Sequence, residues 1–146
     1  MCENSGLAGT YVKMQDAFIS EKGDSSGTWI AIGYKAPGTV ATAGTIDGGG
    51  VTSATNNFTY AENGGGSTTG SVVLGTAAEK WAASNKTKLN DCAAAKNWTL
   101  LVGANSASGA GAGEAVYTST VGAGCVELTP AFTNIATTGA AAGSGS

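Results

Sequence analysis

The stretch GLAGTYVKMQDAFI, residues 6–19, has the most regular pattern in the sequence. Its large apolar side chains recur at alternating intervals of four and three positions, which places them in one stripe along an α-helix. We predict a helix over about residues 5–22, because the glycine at position 23 is a typical C-terminal stop. An amphipathic helix buries its apolar stripe against a sheet. The predicted packing residues are Leu7, Tyr11, Met14 and Phe18.

The composition limits the class of protein. The 146 residues include 24 glycines, and charged residues make up 12%, about half of the usual share. The surface must therefore be covered by Ser, Thr, Asn and Gly, which is typical of secreted or cell-surface β-rich proteins. The net charge of −3 and the scattered lysines argue against nucleic-acid binding, which needs clustered cations. The sequence shown has no apolar run near 18 residues and no basic-then-apolar leader, so it predicts neither a transmembrane helix nor a signal peptide.

Three cysteines allow one disulfide bond with one thiol left over. We favour the pair Cys92 and Cys125, because each follows a turn-like segment where a strand can meet a loop. A bridge between residues 33 apart would stabilise the fold by roughly 3–4 kcal/mol in the loop-entropy model. The alternative is that both are unpaired buried thiols. Cys2, beside the chain start, is expected to be incidental.

The rest of the chain has the pattern of strands separated by glycine-rich loops. A short strand is predicted over residues 28–34, ahead of the turn at Pro37 and Gly38. Residues 35–56 are mostly Gly, Thr, Ala and Ser, which predicts a long surface connection. Further strands are predicted at residues 57–61, 71–74, 80–84, 97–102 and 114–121, with a short last one at 125–128.

This order of elements predicts a single domain over residues 1–136, of the α+β class. The strand region at about 57–128 is expected to form a four- to six-stranded antiparallel sheet with long Gly/Ala/Thr-rich loops. One face of such a sheet is solvated and the other is buried, and the predicted helix is the element able to cover the buried face. Residues 137–146 are expected to form a flexible, linker-like tail.

Catalytic and metal-binding patterns are lacking in the sequence. It contains no histidine, which removes the commonest general base and the commonest metal ligand. The acidic residues are dispersed over predicted loops, which argues against a carboxylate pair for glycoside hydrolysis and against a Ca²⁺ loop. We therefore expect no enzyme activity, no metal and no cofactor.

The three tryptophans allow two interpretations. Trp29, Trp81 and Trp98 each lie in an apolar strand pattern, so we expect them in the core. The alternative is an exposed sugar-binding face of flat aromatic rings, as in a secreted carbohydrate-binding β-sandwich. Three Asn-X-Ser/Thr triplets, which permit glycosylation only in a host that performs it, lie at Asn57, Asn85 and Asn97.

Four segments of the sequence together resemble the globular domain of bacterial type IV pilins and the related pseudopilins. They are GLAGTYVKMQDAFI at 6–19, WIAIGYKAPG at 29–38, FTY at 58–60, and LNDC at 89–92 with WTL following at 98–100. In that family a long N-terminal helix has an apolar first half that polymerises in the filament core and a second half that packs on the sheet. The resemblance covers most of residues 6–136 in the order of elements. It implies a head domain without its apolar assembly helix, as in a shortened chain or a split pilin.

The resemblance also implies a structural function in an extracellular, cell-surface pilus. The head would pack beside copies of itself, and the missing N-terminal helix would drive assembly and provide the connection to the membrane. The chain shown is then expected to be soluble. The region joined by Cys92 and Cys125 would correspond to the exposed D-region, which contacts surfaces or neighbouring subunits. The alternatives are a pseudopilin of a type II secretion system and the carbohydrate-binding module.

Overall fold

The computed structural model describes residues 2–22, 25–62, 71–73, 78–89, 91–104, 115–125, 132 and 138–141. Within these residues the chain forms two helices, α1 (Cys2–Lys22) and α2 (Trp29–Ile32). The strands are β1 (Ser25–Gly27), β2 (Thr39–Thr42), β3 (Thr52–Ala54), β4 (Phe58–Ala61), β5 (Ser71–Val73), β6 (Ala78–Asn85), β7 (Lys96–Ala104), β8 (Ala115–Val121) and β9 (Thr138–Ala141).

Seven of these strands form one sheet in the order β2-β3-β4-β6-β7-β8-β9. Neighbouring strands in it are antiparallel, except that β8 and β9 run parallel. Strands β1 and β5 pair separately as a small antiparallel sheet. Helix α1 packs against β1, α2 and β8.

The predicted α+β class is wrong, because the described residues form a predominantly β fold, with a large sheet and one long helix. The difference arises mainly in the segment 35–56, where the predicted surface connection contains strands β2 and β3. Backbone hydrogen bonds form sheet pairs whatever the side chains are, so a Thr/Ala/Ser-rich segment can form a strand without an apolar alternation. Residues 138–141, predicted as part of an unpacked tail, form β9, which is the edge strand of the sheet opposite to β2.

Residues 29–32 form helix α2 where a strand was predicted. The side chain of Thr28 caps this helix by accepting a hydrogen bond from the Ala31 N–H at 3.2 Å. Gly33 then ends the helix with a left-handed backbone at φ 83°. These local caps override the alternating pattern of large residues. The predicted strands of the region 57–121 are confirmed in β4, β5, β6, β7 and β8, although β5 pairs outside the large sheet. The predicted strand at 125–128 lies almost wholly outside the described residues.

The core lies on the inward face of the large sheet. Strand β4 shows the expected alternation, with Phe58 and Tyr60 buried and Thr59 exposed between them. Small and large residues face each other across the central strands, as where Ala83 of β6 pairs with Trp98 of β7. All three tryptophans are buried, which confirms that they belong to the core: Trp29, Trp81 and Trp98 are at most 1% exposed.

Candidate functional site

The contact between helix α1 and the β-rich body is the first candidate site, because it contains the residues predicted to pack on the sheet. Tyr11 is fully buried, whereas Leu7, Met14 and Phe18 are half-buried. Leu7 and Met14 lie against the core cluster. Phe18 lies under the ammonium group of Lys22, which is 5.8 Å from the ring centroid.

The centre of the buried stripe is shifted from the predicted one. Its fully buried residues are Ala8, Tyr11, Gln15 and Ile19. The spacing is still helical, but the predicted stripe passed over Gln15, because a polar residue does not contribute to an apolar pattern. The predicted Leu7, Met14 and Phe18 therefore flank the contact rather than form its middle.

Gln15 joins the helix to strand β1 through its side-chain amide. The amide nitrogen Nε2 donates to the carbonyl oxygen of Gly27 at 2.9 Å, and the Gly27 N–H donates to Oε1 at 2.8 Å. Nε2 also donates to the hydroxyl oxygen of Tyr11 at 2.8 Å. All the polar atoms of this buried amide thus have partners, which is the condition for a polar group to be buried without a large cost.

An aromatic cluster continues the contact from α1 to α2. The ring of Tyr11 meets the ring of Tyr34 edge-on at 5.5 Å, and Tyr34 meets Trp29 edge-on at 4.9 Å. The Tyr34 hydroxyl accepts a hydrogen bond from Trp81 Nε1 at 3.0 Å and donates to the carbonyl of Leu7 at 3.3 Å. Burial raises the pKa of Tyr34 to about 12 and also raises the pKa of Tyr11, so both hydroxyl groups stay protonated well above physiological pH.

Helix α1 also has a direct polar contact with the large sheet. The hydroxyl of Tyr117, on β8, donates to the carboxylate oxygen Oδ1 of Asp16 at 3.2 Å. Burial and the negative charge of Asp16 both raise the pKa of Tyr117, so this phenol remains protonated and able to donate. This hydrogen bond joins an exposed residue of the helix to β8, the strand beside the edge strand β9.

Glu62 is a buried carboxylate, although it follows strand β4 in a segment that the sequence predicts as a loop, where acidic side chains are usually solvated. Its oxygens accept hydrogen bonds from the backbone N–H of Trp29 at 2.9 Å and of Val51 at 3.4 Å. It therefore ties the start of α2 to the segment before β3. Burial raises the pKa of Glu62 above its ordinary value, although the backbone donors and the charge of Lys80 act in the opposite direction.

The disulfide bond joins Cys92 to Cys125, the pair favoured by the sequence analysis, and both cysteines are fully buried. Two asparagines support it from the side of β6 and β7. Asn85 Nδ2 donates to the carbonyl of Cys92 at 3.1 Å, and Asn97 Nδ2 donates to the Asn85 carbonyl oxygen Oδ1 at 2.7 Å. The loop before β7 is thus held by a covalent bond and by a buried amide network.

The three glycosylation triplets differ in accessibility. Asn85 is buried, and the side-chain nitrogen of Asn97 is occupied by hydrogen bonds to Asn85 and to the carbonyl of Ala93. Asn57 is exposed at the turn between β3 and β4. Of the three, Asn57 is therefore the one whose side chain is open to modification in the folded chain.

An apolar groove of about 340 Å³ lies between α2 and β2. The exposed large apolar residues among those described are Ile30, Val40 and Ile46, and the first two line this groove. Its charged lining residue is Lys35. Exposed apolar area of this kind is a common feature of contact surfaces between proteins.

The described part of the chain contains neither a metal centre nor a membrane-spanning helix. Among those residues, no group of three or more Cys, Asp or Glu side chains is placed to hold a metal ion. In the same part of the chain, neither helix is both long and apolar enough to span a bilayer. No protein-family model, no curated protein and no solved structure matches this chain.

Proposed function

We propose that this chain is a structural subunit of an extracellular filament of the type IV pilus kind. The observation that supports the proposal most is the docking of α1, whose buried side joins the β-rich body while the opposite side stays exposed to solvent. Residues on that open side include Lys13, Ala17 and Ser20, all exposed. A head domain anchored to one long helix in this way suits repeated side-by-side packing around a bundle of helices.

The two-sided character of α1 explains why the head would stay rigid within an assembly. The buried hydrogen bonds of Gln15 and the aromatic contacts of Tyr11 fix the helix against β1 and α2. The hydrogen bond from Tyr117 to Asp16 fixes it against β8. Force applied along the helix would then be transmitted to the large sheet through contacts on two separate elements.

The region of the disulfide bond is the proposed contact surface for other subunits or for external surfaces. Cys92 and Cys125 tie together the loops beside β7 and β8, and the neighbouring residues Ala93, Ala123 and Gly124 are exposed. A covalently closed loop region can keep its shape outside the cell, where disulfide bonds persist.

The burial of the tryptophans counts against the alternative of a carbohydrate-binding β-sandwich. Such a module presents flat aromatic rings to its ligand, whereas Trp29, Trp81 and Trp98 are all in the core of this chain. Among the described residues, seven of the nine strands belong to one sheet and two form a small separate sheet, which differs from a sandwich of two comparable sheets packed face to face.

Immunogold electron microscopy of the native host tests the proposal. Antibodies raised against this chain should label filaments at the cell surface along their length, and cells without the gene should lack both label and filaments. Restoring the gene should restore both. Label confined to the cell interior, or filaments that persist unlabelled in the producing strain, would contradict the proposal.

A further inference from the structure

A polar pocket of about 490 Å³ lies at the end of the large sheet, where β2, the turn from β3 to β4 and the segment after β6 meet. This volume falls in the range of roughly 300–1,000 Å³ that is typical of small-molecule sites. The pocket is lined by Gly38, Thr39, Ala54, Thr55, Asn56 and Lys86.

Backbone hydrogen bonds hold the walls of this pocket in place. The Thr55 N–H donates to the carbonyl of Phe58 at 2.8 Å, and the Lys86 N–H donates to the carbonyl of Asn57 at 2.9 Å. Gly38 has a left-handed backbone at φ 73°, and a Cβ atom there would collide with the carbonyl oxygen of Ala54. The close approach of the two strands at this end thus requires glycine, and the pocket is formed before any ligand arrives.

The lining offers hydrogen-bond donors and one positive charge. None of the lining residues is acidic, although the whole chain has a net charge of −3. The side chain of Lys86 is exposed, and the ion pair found among the described residues is instead Lys96 with Glu79. A local cation on an acidic protein, beside hydroxyl and amide groups, favours a small anion that can also form hydrogen bonds.

The hydroxyl group of Thr55 is a second feature of the pocket wall that favours a ligand. Its oxygen Oγ1 is buried and has no hydrogen-bond partner, which is unusual enough in a folded protein to need an explanation. The Thr55 methyl carbon Cγ2 lies near Gly38, 3.0 Å from the position that a Cβ would take there. A rotation about χ1 that carries Oγ1 to the present position of Cγ2 would turn the unpaired oxygen toward Gly38 of the pocket lining, where a ligand can complete its hydrogen bonds.

We propose that this pocket binds a small organic anion that carries several hydroxyl groups, such as an acidic sugar. Its carboxylate pairs with the Lys86 ammonium group, and its hydroxyl groups bond to Thr39, Thr55 and Asn56. The volume is larger than a lone inorganic ion needs, which favours an organic molecule. This inference concerns the isolated chain and does not depend on filament assembly, so either proposal can fail without the other.

Titration of the ¹⁵N-labelled full chain with D-glucuronate, followed by amide chemical shifts, tests the inference. We expect concentration-dependent shifts at the amides of Thr39, Thr55, Asn56 and Lys86, and much smaller shifts with D-glucose, which has the same ring without the carboxylate. Shifts that are absent, or scattered over the surface, would overturn the inference. Equal shifts from sodium chloride or phosphate at matched ionic strength would also overturn it, because the pocket would then recognise charge alone.

Two variants, Lys86→Ala and Thr55→Val, test whether glucuronate binds in this pocket. Lys86→Ala should weaken glucuronate binding by roughly threefold or more, whereas Lys88→Ala removes the same charge two positions away and should leave the titration unchanged. Thr55→Val keeps the side-chain shape and removes the unpaired hydroxyl, so it should weaken binding without lowering the midpoint of urea unfolding. Equal effects of the two lysine variants would contradict the inference, as would unchanged binding in Thr55→Val.

Discussion

Gln15 of helix α1 and Gly27 of strand β1 pair through two hydrogen bonds, 2.8 and 2.9 Å long, in the way that two strands pair. The side-chain amide of Gln15 takes the place of a backbone peptide group. Both residues are buried, so water does not compete for these bonds. The helix is therefore joined to the β-rich body by specific polar pairing in addition to apolar contact.

Gln15→Met should destabilise the fold by about 2–4 kcal/mol, because it keeps the side-chain volume and leaves the buried N–H and C=O of Gly27 without partners. Urea unfolding followed by far-UV circular dichroism measures the change. Ser20→Ala, at an exposed position of the same helix, is the control and should change stability little. A loss in the glutamine variant no larger than in this control would show that the pairing contributes little.

Glu62→Gln should change how stability depends on pH. Burial raises the pKa of Glu62 above its ordinary value of 4.5, so between these two pKa values the folded chain binds more protons than the unfolded chain. The contribution of Glu62 to stability is therefore fully present below pH 4.5 and is lost as pH rises through the raised pKa. Glutamine cannot titrate, so the stability of the wild type relative to this variant should fall with increasing pH.

Urea unfolding of the wild type and Glu62→Gln at several pH values between 4 and 7 checks this trend. Glu21→Gln makes the same change of charge at an exposed position of α1 and serves as the control. A difference between wild type and Glu62→Gln that stays constant, or grows with pH, would contradict the assigned direction of the pKa shift.

Removing the disulfide bond with Cys92→Ser and Cys125→Ser together should lower the free energy of unfolding. The loss expected from the loop-entropy model for a separation of 33 residues is about 3–4 kcal/mol. Cys2→Ser is the control and should leave the stability unchanged. A thiol assay gives an independent check: the unfolded protein should show one reactive thiol before reduction and three afterwards.

The tryptophan fluorescence of the folded chain should be quenched weakly by iodide, because Trp29, Trp81 and Trp98 are all buried. Unfolding in urea should increase the quenching several-fold and shift the emission to longer wavelength. Addition of neutral glycans should leave the native emission unchanged. Strong quenching of the native protein, or an emission shift with neutral glycans, would support an exposed aromatic binding face instead.

The structural features that depend on residues close together in the sequence were predictable from it. The helical spacing from Leu7 to Phe18 predicted α1, although its N-terminal bound at Cys2 lies earlier than expected. The aromatic alternation at Phe58 and Tyr60 predicted β4. The disulfide bond was predicted from the turn-like segments before its two cysteines. These signals are local, because a helix or strand with one buried face shows that face as a period in its own sequence.

The strand predicted over residues 28–34 was wrong, although the sequence contained a sign of helix α2. Thr28 and Gly33 are typical capping residues of a short helix, and they lie at the two ends of α2. The alternation of Trp29, Ile30 and Ile32 was given more weight than these caps. A four-residue helix is too short to show a helical period, so its caps are the main sign of it.

The large sheet is formed by contacts between distant parts of the chain. The sequence pattern therefore did not predict how many strands it contains. Strands β2 and β3 have no apolar period, since their side chains are mostly exposed or half-buried, and they exist because each finds a partner backbone. Glu62 and Gln15 become interior residues for a similar reason. Packing brings backbone N–H and C=O groups from other elements within hydrogen-bonding distance, and a polar side chain can be buried once such partners surround it. Periodicity in the chain reports which side of an element is apolar, whereas the partners of a polar group or of a strand edge are set by three-dimensional proximity.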